Sequence, residues 1–252
     1  MKGSLSLQDV SVGFPGHTLF DIPNMKIESG QMVAVLGVNG SGKSSLMRTL
    51  LGVLEPLSGE IIWQGGRPEI IGYLAQSSEF DRSFPMRVRD LIAMGRWTAQ
   101  RYQFWLRKVS HQAVAAAARQ VGLQDSLDNP VHTLSGGELQ RALFARVVMQ
   151  DSQFIVLDEP FAGIDQTTEC LLMDLIDNWR DEGRTIVLTI HDLTTVLKHC
   201  DSALLLGSGI ATFGHTKDVL TTQNLVSQGY ISVDRLAWLE DQGSLLGLKH
   251  SA

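Results

Sequence analysis

Residues 37–44, GVNGSGKS, place glycines, a lysine and two serines directly after the apolar run Met32 to Leu36. Small residues let backbone N–H groups converge on anionic oxygens, and a helix that begins there adds its positive end. We expect the Lys43 ammonium to reach the β- and γ-phosphates of a nucleotide and the Ser44 hydroxyl to take one Mg²⁺ position. The loop therefore predicts a nucleoside triphosphate site; the alternative is a glycine-rich turn that happens to carry a lysine. Its predicted contacts are Gly37, Val38, Asn39, Gly40, Ser41, Gly42, Lys43, Ser44 and Ser45.

LSGGELQR, residues 134–141, contains a second predicted anion contact. Ser135 and Glu138 have the spacing of a capping box that begins an amphipathic helix. That box does not require Gly136 and Gly137, and two glycines there expose backbone N–H groups at a positive helix end. Two phosphate-seeking helix starts so far apart in one chain suggest a ligand shared between protomers.

FIVLDEP, residues 154–160, predicts an apolar strand that ends in two acids. Asp158 would hold Mg²⁺ or its water shell beside the phosphate loop. Glu159 would orient or deprotonate the attacking water. The alternative is that both carboxylates only solvate a strand end before Pro160.

Four further side chains each have a candidate role and a simpler alternative. Gln76 could reach Mg²⁺ and the lytic water, or could be a polar loop residue. His191, after the strand TIVLTI, could donate to the γ-phosphate, or could be a helix cap or loop residue. Asp165 could N-cap the helix that begins at Gln166. Phe14 could stack on adenine, or could belong to the core.

Composition excludes several classes of protein. The chain has 252 residues, 44% of them hydrophobic, and a net charge of −6, so we expect an ordinary globular α/β protein without a dominant nucleic-acid surface. No apolar run approaches the length of a membrane span, and the first residues contain no hydrophobic signal region. The two cysteines are far apart in the sequence, which predicts reduced, packed thiols in a cytosolic protein. A basic series predicts a solvated helix face or, alternatively, a contact with a partner or lipid headgroups. Its members are Arg82, Arg87, Arg89, Arg96, Arg101, Arg107 and Lys108.

Apolar periodicity predicts strands that alternate with helices, hence a mostly parallel sheet. The predicted strands are 5–12, 22–27, 32–36, 59–63, 70–74, 154–157, 185–190 and 203–206. The predicted helices include 45–51, 111–121, 139–149 and one whose apolar face is Leu171, Leu172, Leu175, Ile176 and Trp179. Helical spacing dominates residues 77–133, and the tail 221–252 is only weakly patterned.

In this order and spacing, these motifs resemble the ATP-binding subunits of ABC transporters. GVNGSGKS is similar to the family's Walker A loop, LSGGE to its signature and FIVLDEP to its Walker B strand. Gln76 matches the Q-loop glutamine, residues 162–165 the D-loop, and His191 the switch histidine. Phe14 stands where the family places an adenine-stacking aromatic, usually Tyr. The match covers about residues 3–220.

A narrower resemblance is to importers of manganese, zinc, iron and chelated metals. Residues 79–97, EFDRSFPMRVRDLIAMGRW, and 160–169, PFAGIDQTTE, carry it. Ala75 in place of the usual proline, and Arg146-Val147-Val148 in place of the commoner Arg-Ala-Leu, depart from the pattern. Both departures weaken the assignment to this group of metal importers, and neither changes a residue predicted to bind or hydrolyse the nucleotide.

The resemblance implies a P-loop NTPase core with an antiparallel β subdomain and a helical insert. Residues 1–76 and 134–220 would form the core with the β subdomain, 77–133 the helical subdomain and 221–252 a tail. It also implies ATP and Mg²⁺ as ligands. The residues implied at the Mg²⁺ site are Ser44, Gln76 and Asp158. Ser135 and Gly137 of one copy would contact the ATP held by Lys43 of another.

The implied partners are a membrane permease, a second copy of the chain and, indirectly, an extracytoplasmic metal-binding protein. The implied location is the cytoplasmic face of the plasma membrane, where the chain would be peripheral. Alternatives are the ATPase of an importer for another small substrate, or a soluble ABC clamp such as a cluster-assembly ATPase. A P-loop kinase would leave LSGGE unexplained, and the chain lacks the coiled-coil insert of DNA-repair relatives and the second domain of translation relatives.

Overall fold

The computed structural model describes residues 4–76, 80–96, 110–207 and 209–231. These residues form two compact units, one from Met1–Arg67 with Thr185–Ala252 and one from Pro68–Arg184. The predicted division into core, helical insert and tail stays a prediction. Features predicted at Glu79, Trp97, Arg101, Arg107 and Lys108, and in the tail from 232 to 252, lie outside the described residues.

Strands and helices alternate along most of the described chain. The strands are β1 (Leu5–Phe14), β2 (His17–Asp21), β3 (Met25–Ile27), β4 (Met32–Gly37), β5 (Ser58–Trp63), β6 (Ile71–Leu74), β7 (Phe154–Leu157), β8 (Thr185–Thr189), β9 (Ser202–Gly207) and β10 (Ile210–His215). The helices are α1 (Lys43–Leu50), α2 (Val88–Ala93), α3 (His111–Gln120), α4 (Gly136–Gln150), α5 (Gln166–Asp181), α6 (Leu193–His199), α7 (Thr216–Val219) and α8 (Thr222–Ser227). The mixed α/β fold is the predicted one.

The first unit contains an antiparallel region built around β1. Strands β2, β3 and β5 all pair with β1 in antiparallel register. Strand β2 was not predicted, and the strand predicted over 22–27 is wrong in its first half, since only Met25–Ile27 pairs with β1. Pro23 has no N–H to donate to a ladder, so the chain enters the strand after it.

The parallel region of the same unit places β4 at its centre. Strand β4 lies between β8 and β9 and is parallel to both. All six residues of β4 are buried, which explains its continuous apolar run. The order within this unit is β3-β1-β2-β10-β9-β4-β8. The unpredicted strand β10 pairs antiparallel with β9, and its Ile210 is exposed, so its sequence lacks a clean alternation.

The second unit is built on the parallel pair β6 and β7 and on helix α4. Helix α4 packs against α2, α3 and β6. Phe144 of α4 is fully buried and stacks on Trp179 of α5, with ring centroids 6.3 Å apart. Gly95 lies so close to α4 that a Cβ there would be 2.1 Å from the Arg146 carbonyl oxygen. This packing holds α4 against the neighbouring helices and strand β6 of the second unit.

Two predictions about packing are wrong. Cys170 is exposed, whereas Cys200 is buried as expected. Leu171, predicted for the buried face of α5, is 37% exposed, while Met173 is buried. Both errors lie in the second turn of α5, where the buried stripe begins one residue later than the leucines indicate. Across the described ranges, no helix is long and apolar enough to span a bilayer.

Candidate functional site

The phosphate loop connects the buried strand β4 to helix α1. The backbone at Gly42 is left-handed, with φ 95°, and α1 begins at the next residue. A Cβ at Gly37 would lie 2.4 Å from the Ser41 hydroxyl oxygen and 2.6 Å from the Leu206 carbonyl oxygen. These two glycines are therefore required by the backbone itself, as the sequence predicted.

Lys43 directs its ammonium back into this loop. Its Nζ donates to the carbonyl oxygens of Gly37 at 2.9 Å and Val38 at 3.1 Å, and the side chain is 7% exposed. Ser44, the next residue, is exposed at the first turn of α1. The cation is thus held inside the loop while the neighbouring hydroxyl faces outward, which is the arrangement a phosphate chain with its metal ion requires.

The loop borders a cavity that fits an anionic ligand. The Ser41 hydroxyl oxygen is buried and has no hydrogen-bond partner among the described residues. The cavity has a volume of about 240 Å³ and is lined by Leu19, Phe20, Val38, Asn39, Gly40, Ser41, Gly207 and Gly209. A buried donor without a partner is costly, so a phosphate oxygen beside it would satisfy an existing need.

Strand β2 supplies cavity residues that the sequence analysis missed. Leu19 and Phe20 line the cavity, and a Cβ at Gly42 would lie 2.5 Å from Cε1 of Phe20. Phe14, at the end of β1, is 47% exposed, so the alternative that it belongs to the core is excluded, and the predicted stacking on adenine stays a prediction. Phe14 remains available for stacking. The sequence of β2, HTLFD, does not alternate between apolar and polar residues and so gave no strand signal.

His191 lies on the short loop between β8 and α6. Its side chain is exposed, and the cap of α6 is Asp192, whose carboxylate accepts from the Thr195 N–H at 2.7 Å. His191 is therefore a loop residue and not the helix cap. Burial opposes ionisation of Asp192, but the hydrogen bonds from Thr195 outweigh it and hold the pKa of that carboxyl below its ordinary value. The loop therefore carries a stable negative charge beside His191.

In the second unit, the ends of β6 and β7 bring three predicted residues together. The strands pair in parallel with Leu74 opposite Leu157, and the Asp158 N–H donates to the Leu74 carbonyl at 2.9 Å. Beyond them, Gln76 Nε2 donates to Glu159 Oε2 at 2.7 Å. Gln76 is thus bonded directly to the predicted general base.

The two acids after β7 have different surroundings. Asp158 is 4% exposed, so solvation of a strand end does not account for it. Glu159 has a left-handed backbone, with φ 48°, in a region that costs a non-glycine residue on the order of 1–3 kcal/mol. Such a conformation persists only where the surroundings impose it, and here it turns the chain immediately after Asp158.

Helix α4 begins with the predicted capping box. The Ser135 hydroxyl accepts from the Glu138 N–H at 3.3 Å, and the Ser135 N–H donates to Glu138 Oε2 at 2.9 Å. The bonds from the Ser135 backbone and side chain lower the pKa of Glu138. A Cβ at Gly136 would be 3.7 Å from its nearest neighbour and one at Gly137 would be 4.0 Å away, both ordinary contact distances. Nothing within the second unit requires these glycines.

Two residues close to the acids complete this half of the site. Asp165 N-caps α5 by accepting from the Thr168 N–H at 2.9 Å, as predicted, and the hydrogen bonds from Thr168 lower its pKa. Gln140, fully buried in α4, donates to the Pro160 carbonyl at 2.7 Å. The sequence analysis missed Gln140, although it follows LSGGEL at a position where a buried polar residue breaks the apolar face.

The remaining members of the basic series include an ion-paired cluster. Arg87 and Arg89 both bridge the carboxylate of Asp128, and Arg82 donates to the Leu134 carbonyl at 3.3 Å. These arginines therefore lie at the surface with partners inside the chain, and both predictions for the series stay predictions.

Comparison with known proteins identifies the family. A family profile described as ABC transporter matches residues 20–162. The chain belongs to the ABC transporter family. This ABC transporter subunit therefore binds ATP and is an ATPase.

Its relatives include several metal-transport proteins. The manganese transport system ATP-binding protein MntA of Synechocystis is 36% identical over 208 residues, 79% of each chain. MntB of Bacillus subtilis, with the same description, is 32% identical over 225 residues, 88% of this chain and 90% of its own. The zinc import ATP-binding protein ZnuC of Pseudomonas putida is 32% identical over 217 residues, 85% of this chain and 79% of its own.

Solved structures share the fold of this ABC transporter subunit. An inward-facing metal-chelate type ABC transporter matches with a TM-score of 0.77 and 27% identity, over 91% of this chain and 90% of that one. A nucleotide-free ATP-binding cassette matches with a TM-score of 0.72 and 20% identity, over 91% and 99%. The second likeness supports the fold alone.

Proposed function

We propose that this chain is the ATP-hydrolysing subunit of an importer for a transition metal, namely manganese, zinc or chelated iron. The observation that carries the proposal is the set of relatives. Proteins described as manganese, zinc and chelated-iron transport subunits are 30–36% identical over most of this chain and most of their own length. The geometry of the phosphate loop and of the acid pair supports the ATPase part.

The first unit would hold the nucleotide. Phe14 stacks on adenine, the loop 37–45 surrounds the phosphates, and Lys43 neutralises the charge of the β- and γ-phosphates. The buried Ser41 hydroxyl is the donor that a phosphate oxygen satisfies. His191 donates to the γ-phosphate from the loop after β8.

The second unit would supply the acids of hydrolysis. Glu159 accepts a proton from the attacking water, and Gln76, bonded to it at 2.7 Å, orients that water. The family resemblance assigns Mg²⁺ to Ser44, Gln76 and Asp158, whose hydroxyl, amide and carboxylate oxygens are the ligand types this ion prefers. Bound there, Mg²⁺ would neutralise charge on the phosphates.

A second copy of the chain would complete the site. Ser135, Gly136, Gly137 and Glu138 at the start of α4 would face the ATP bound by the other copy, with Asp165 beside them. Among the described residues, an added Cβ at Gly136 meets nothing closer than 3.7 Å. Close approach of a ligand from outside would explain the glycines, because the described fold has room for alanine at this position.

The remaining partners follow from the same proposal. The chain would dock on an integral-membrane permease through residues 77–133 and stay peripheral at the cytoplasmic face of the membrane. A metal-binding protein outside the membrane would deliver the cargo to the permease. In this proposal the transported metal passes through the permease and does not contact this chain. Nucleic acid is not among its proposed partners.

The test is uptake of manganese, zinc and iron in cells that produce the chain with its neighbouring permease. Glu159→Gln should abolish uptake of one metal, because only hydrolysis is removed, while the matched exposed change Glu55→Gln should leave uptake unchanged. If the Glu159→Gln and Glu55→Gln variants take up every metal equally well, the proposal that the cargo is a metal would be refuted. An intact ATPase in that case would point to another importer substrate or to a soluble clamp.

A further inference from the structure

The described residues after β10, 216–231, belong to the first unit and pack against strands β9 and β10. Gln228 is 6% exposed, and its Nε2 donates to the Thr212 hydroxyl at 2.6 Å. A Cβ at Gly207 would be 2.1 Å from the Gln228 carbonyl oxygen, so β9 and this segment are in close contact. Gly207 also lines the cavity of the phosphate loop. The segment therefore packs against a residue that lines this cavity.

The residues that follow are held by backbone hydrogen bonds. Gly229 has a left-handed backbone, with φ 70°, and reverses the chain after α8. The N–H groups of Tyr230 and Ile231 both donate to the Leu225 carbonyl, at 2.8 and 3.1 Å. These two hydrogen bonds hold the backbone at Tyr230 independently of any contact of its side chain.

The side chain of Tyr230 reaches the loop that carries His191. Its hydroxyl donates to the His191 carbonyl oxygen at 2.7 Å. Burial, with a contribution from the negative charge of Asp192, raises the pKa of Tyr230, so the phenol stays protonated and remains a donor. Asp192 is itself held by Thr195. The backbone on the C-terminal side of the His191 side chain is therefore held at two successive residues.

We propose that Tyr230 is a positioning residue that sets the direction of His191 toward the γ-phosphate. The proposal rests on the role of His191 in the proposed function. Three residues, 190–192, connect the end of β8 to α6, so a shift of the His191 carbonyl rotates the peptide that carries the imidazole. Catalysis loses much from small misplacements of an acting group, so one hydrogen bond is enough to matter.

The first experiment is a double-mutant cycle on ATP hydrolysis. Tyr230→Phe should lower kcat by about 3- to 10-fold, the loss that corresponds to one neutral hydrogen bond, with KM for ATP unchanged. In a His191→Ala background, measured by single turnover with labelled ATP, Tyr230→Phe should cause no further loss. Thr212→Val, which removes a hydrogen bond from the same segment without touching His191, should keep the wild-type kcat.

The second measurement is the imidazole NMR signal of His191, assigned by its disappearance in His191→Ala. Tyr230→Phe should shift that signal, and Thr212→Val should not. Equal losses of kcat from Tyr230→Phe in both backgrounds, or an unchanged signal, would overturn the positioning role. Full turnover by His191→Ala would instead remove His191 from the proposed function, so the two failures are distinguishable.

Discussion

Glu159 combines a left-handed backbone with a direct hydrogen bond from Gln76. The backbone conformation is costly for a residue with a Cβ, and the bond ties the carboxylate to the end of a neighbouring strand. A carboxylate that is held in one place by its surroundings needs no reorganisation when it accepts a proton. At the residue scale, this pair is the feature that best matches a hydrolytic role.

Replacing Glu159 with Gln should separate binding from hydrolysis. The amide keeps the size of the side chain but cannot accept a proton, so turnover should fall by on the order of 10²-fold or more. ATP affinity should stay near that of the wild type, since the phosphate loop is unchanged. Steady-state phosphate release and equilibrium ATP binding measure the two quantities. Near-normal phosphate release would exclude Glu159 as the base.

Lys43→Ala should weaken ATP binding itself. Lys43 is 7% exposed and its ammonium is directed into the loop, so its loss removes the cation that would face the phosphates. We expect at least about a tenfold rise in Kd, equivalent to about 1.4 kcal/mol. Calorimetric titration with ATP gives Kd, and circular dichroism checks the fold. An unchanged Kd would contradict the predicted phosphate site.

At the scale of elements, the start of α4 depends on a reciprocal cap and on two glycines. The cap lowers the pKa of Glu138 below its ordinary value of 4.5. A carboxyl whose pKa is lower in the folded state contributes stability above the unfolded value, and that contribution is lost as pH falls through the lowered pKa. The element is therefore stabilised at neutral pH and weakened in acid.

Glu138→Gln should accordingly reduce the pH dependence of folding. The free energy of unfolding of the wild type should fall between about pH 6 and pH 3, and the variant should fall less, because it lacks this titrating cap. Urea unfolding at a series of pH values measures the difference. Glu55→Gln, at an exposed position, is the control. Parallel curves for Glu138→Gln and the wild type would show that the cap is not linked to protonation.

Gly136→Ala should separate folding from catalysis. A Cβ at this position would lie 3.7 Å from its nearest neighbour, the Gly163 carbonyl oxygen. Because alanine is also the better helix former, the free energy of unfolding should be unchanged or higher. ATPase activity should nevertheless fall strongly if another copy's phosphate approaches this backbone. Gly95→Ala is the contrasting control, since its Cβ would meet a backbone oxygen of α4 at 2.1 Å and should destabilise the protein. Full activity of Gly136→Ala would argue against a ligand at this helix start.

At the scale of the whole molecule, the residues that would act on one ATP are carried by two compact units, and the helix start of α4 lies on the surface of the second. Among the described residues nothing lies close enough to Gly136 or Gly137 to require a glycine, so a ligand from another copy would explain them. The proposed arrangement is a pair of chains with ATP between them.

ATP should therefore drive association of two copies when hydrolysis is blocked. Glu159→Gln protein should be monomeric without nucleotide and dimeric with saturating ATP, as measured by light scattering after size-exclusion chromatography. Adding Lys43→Ala to the same protein should abolish the dimer, because nucleotide no longer binds. A mass that stays monomeric for Glu159→Gln with bound ATP would contradict the shared site.

The sequence by itself determined the features that depend on local chemistry. The phosphate loop, the capping box at Ser135, the N-cap at Asp165 and the buried strands β4 and β7 all follow from residue type and spacing along a few consecutive positions. Glycine permits a left-handed backbone, and a short polar side chain at a helix N-cap reaches the backbone N–H three residues later. A strand that is covered on both faces is apolar along its whole length. Such causes act within one turn or one strand.

Only the tertiary structure decided the contacts between residues far apart in the chain. The bond from Gln76 to Glu159, the support of His191 by Tyr230, the position of Phe20 against Gly42 and the exposure of Phe14 depend on which strands pair and where the chain folds back. Strands β2 and β10 were missed for a different reason: each pairs with the strand directly before it in the chain, but their burial does not alternate cleanly. Local propensity carries little information about a partner that is distant in the chain, and burial is set by that partner.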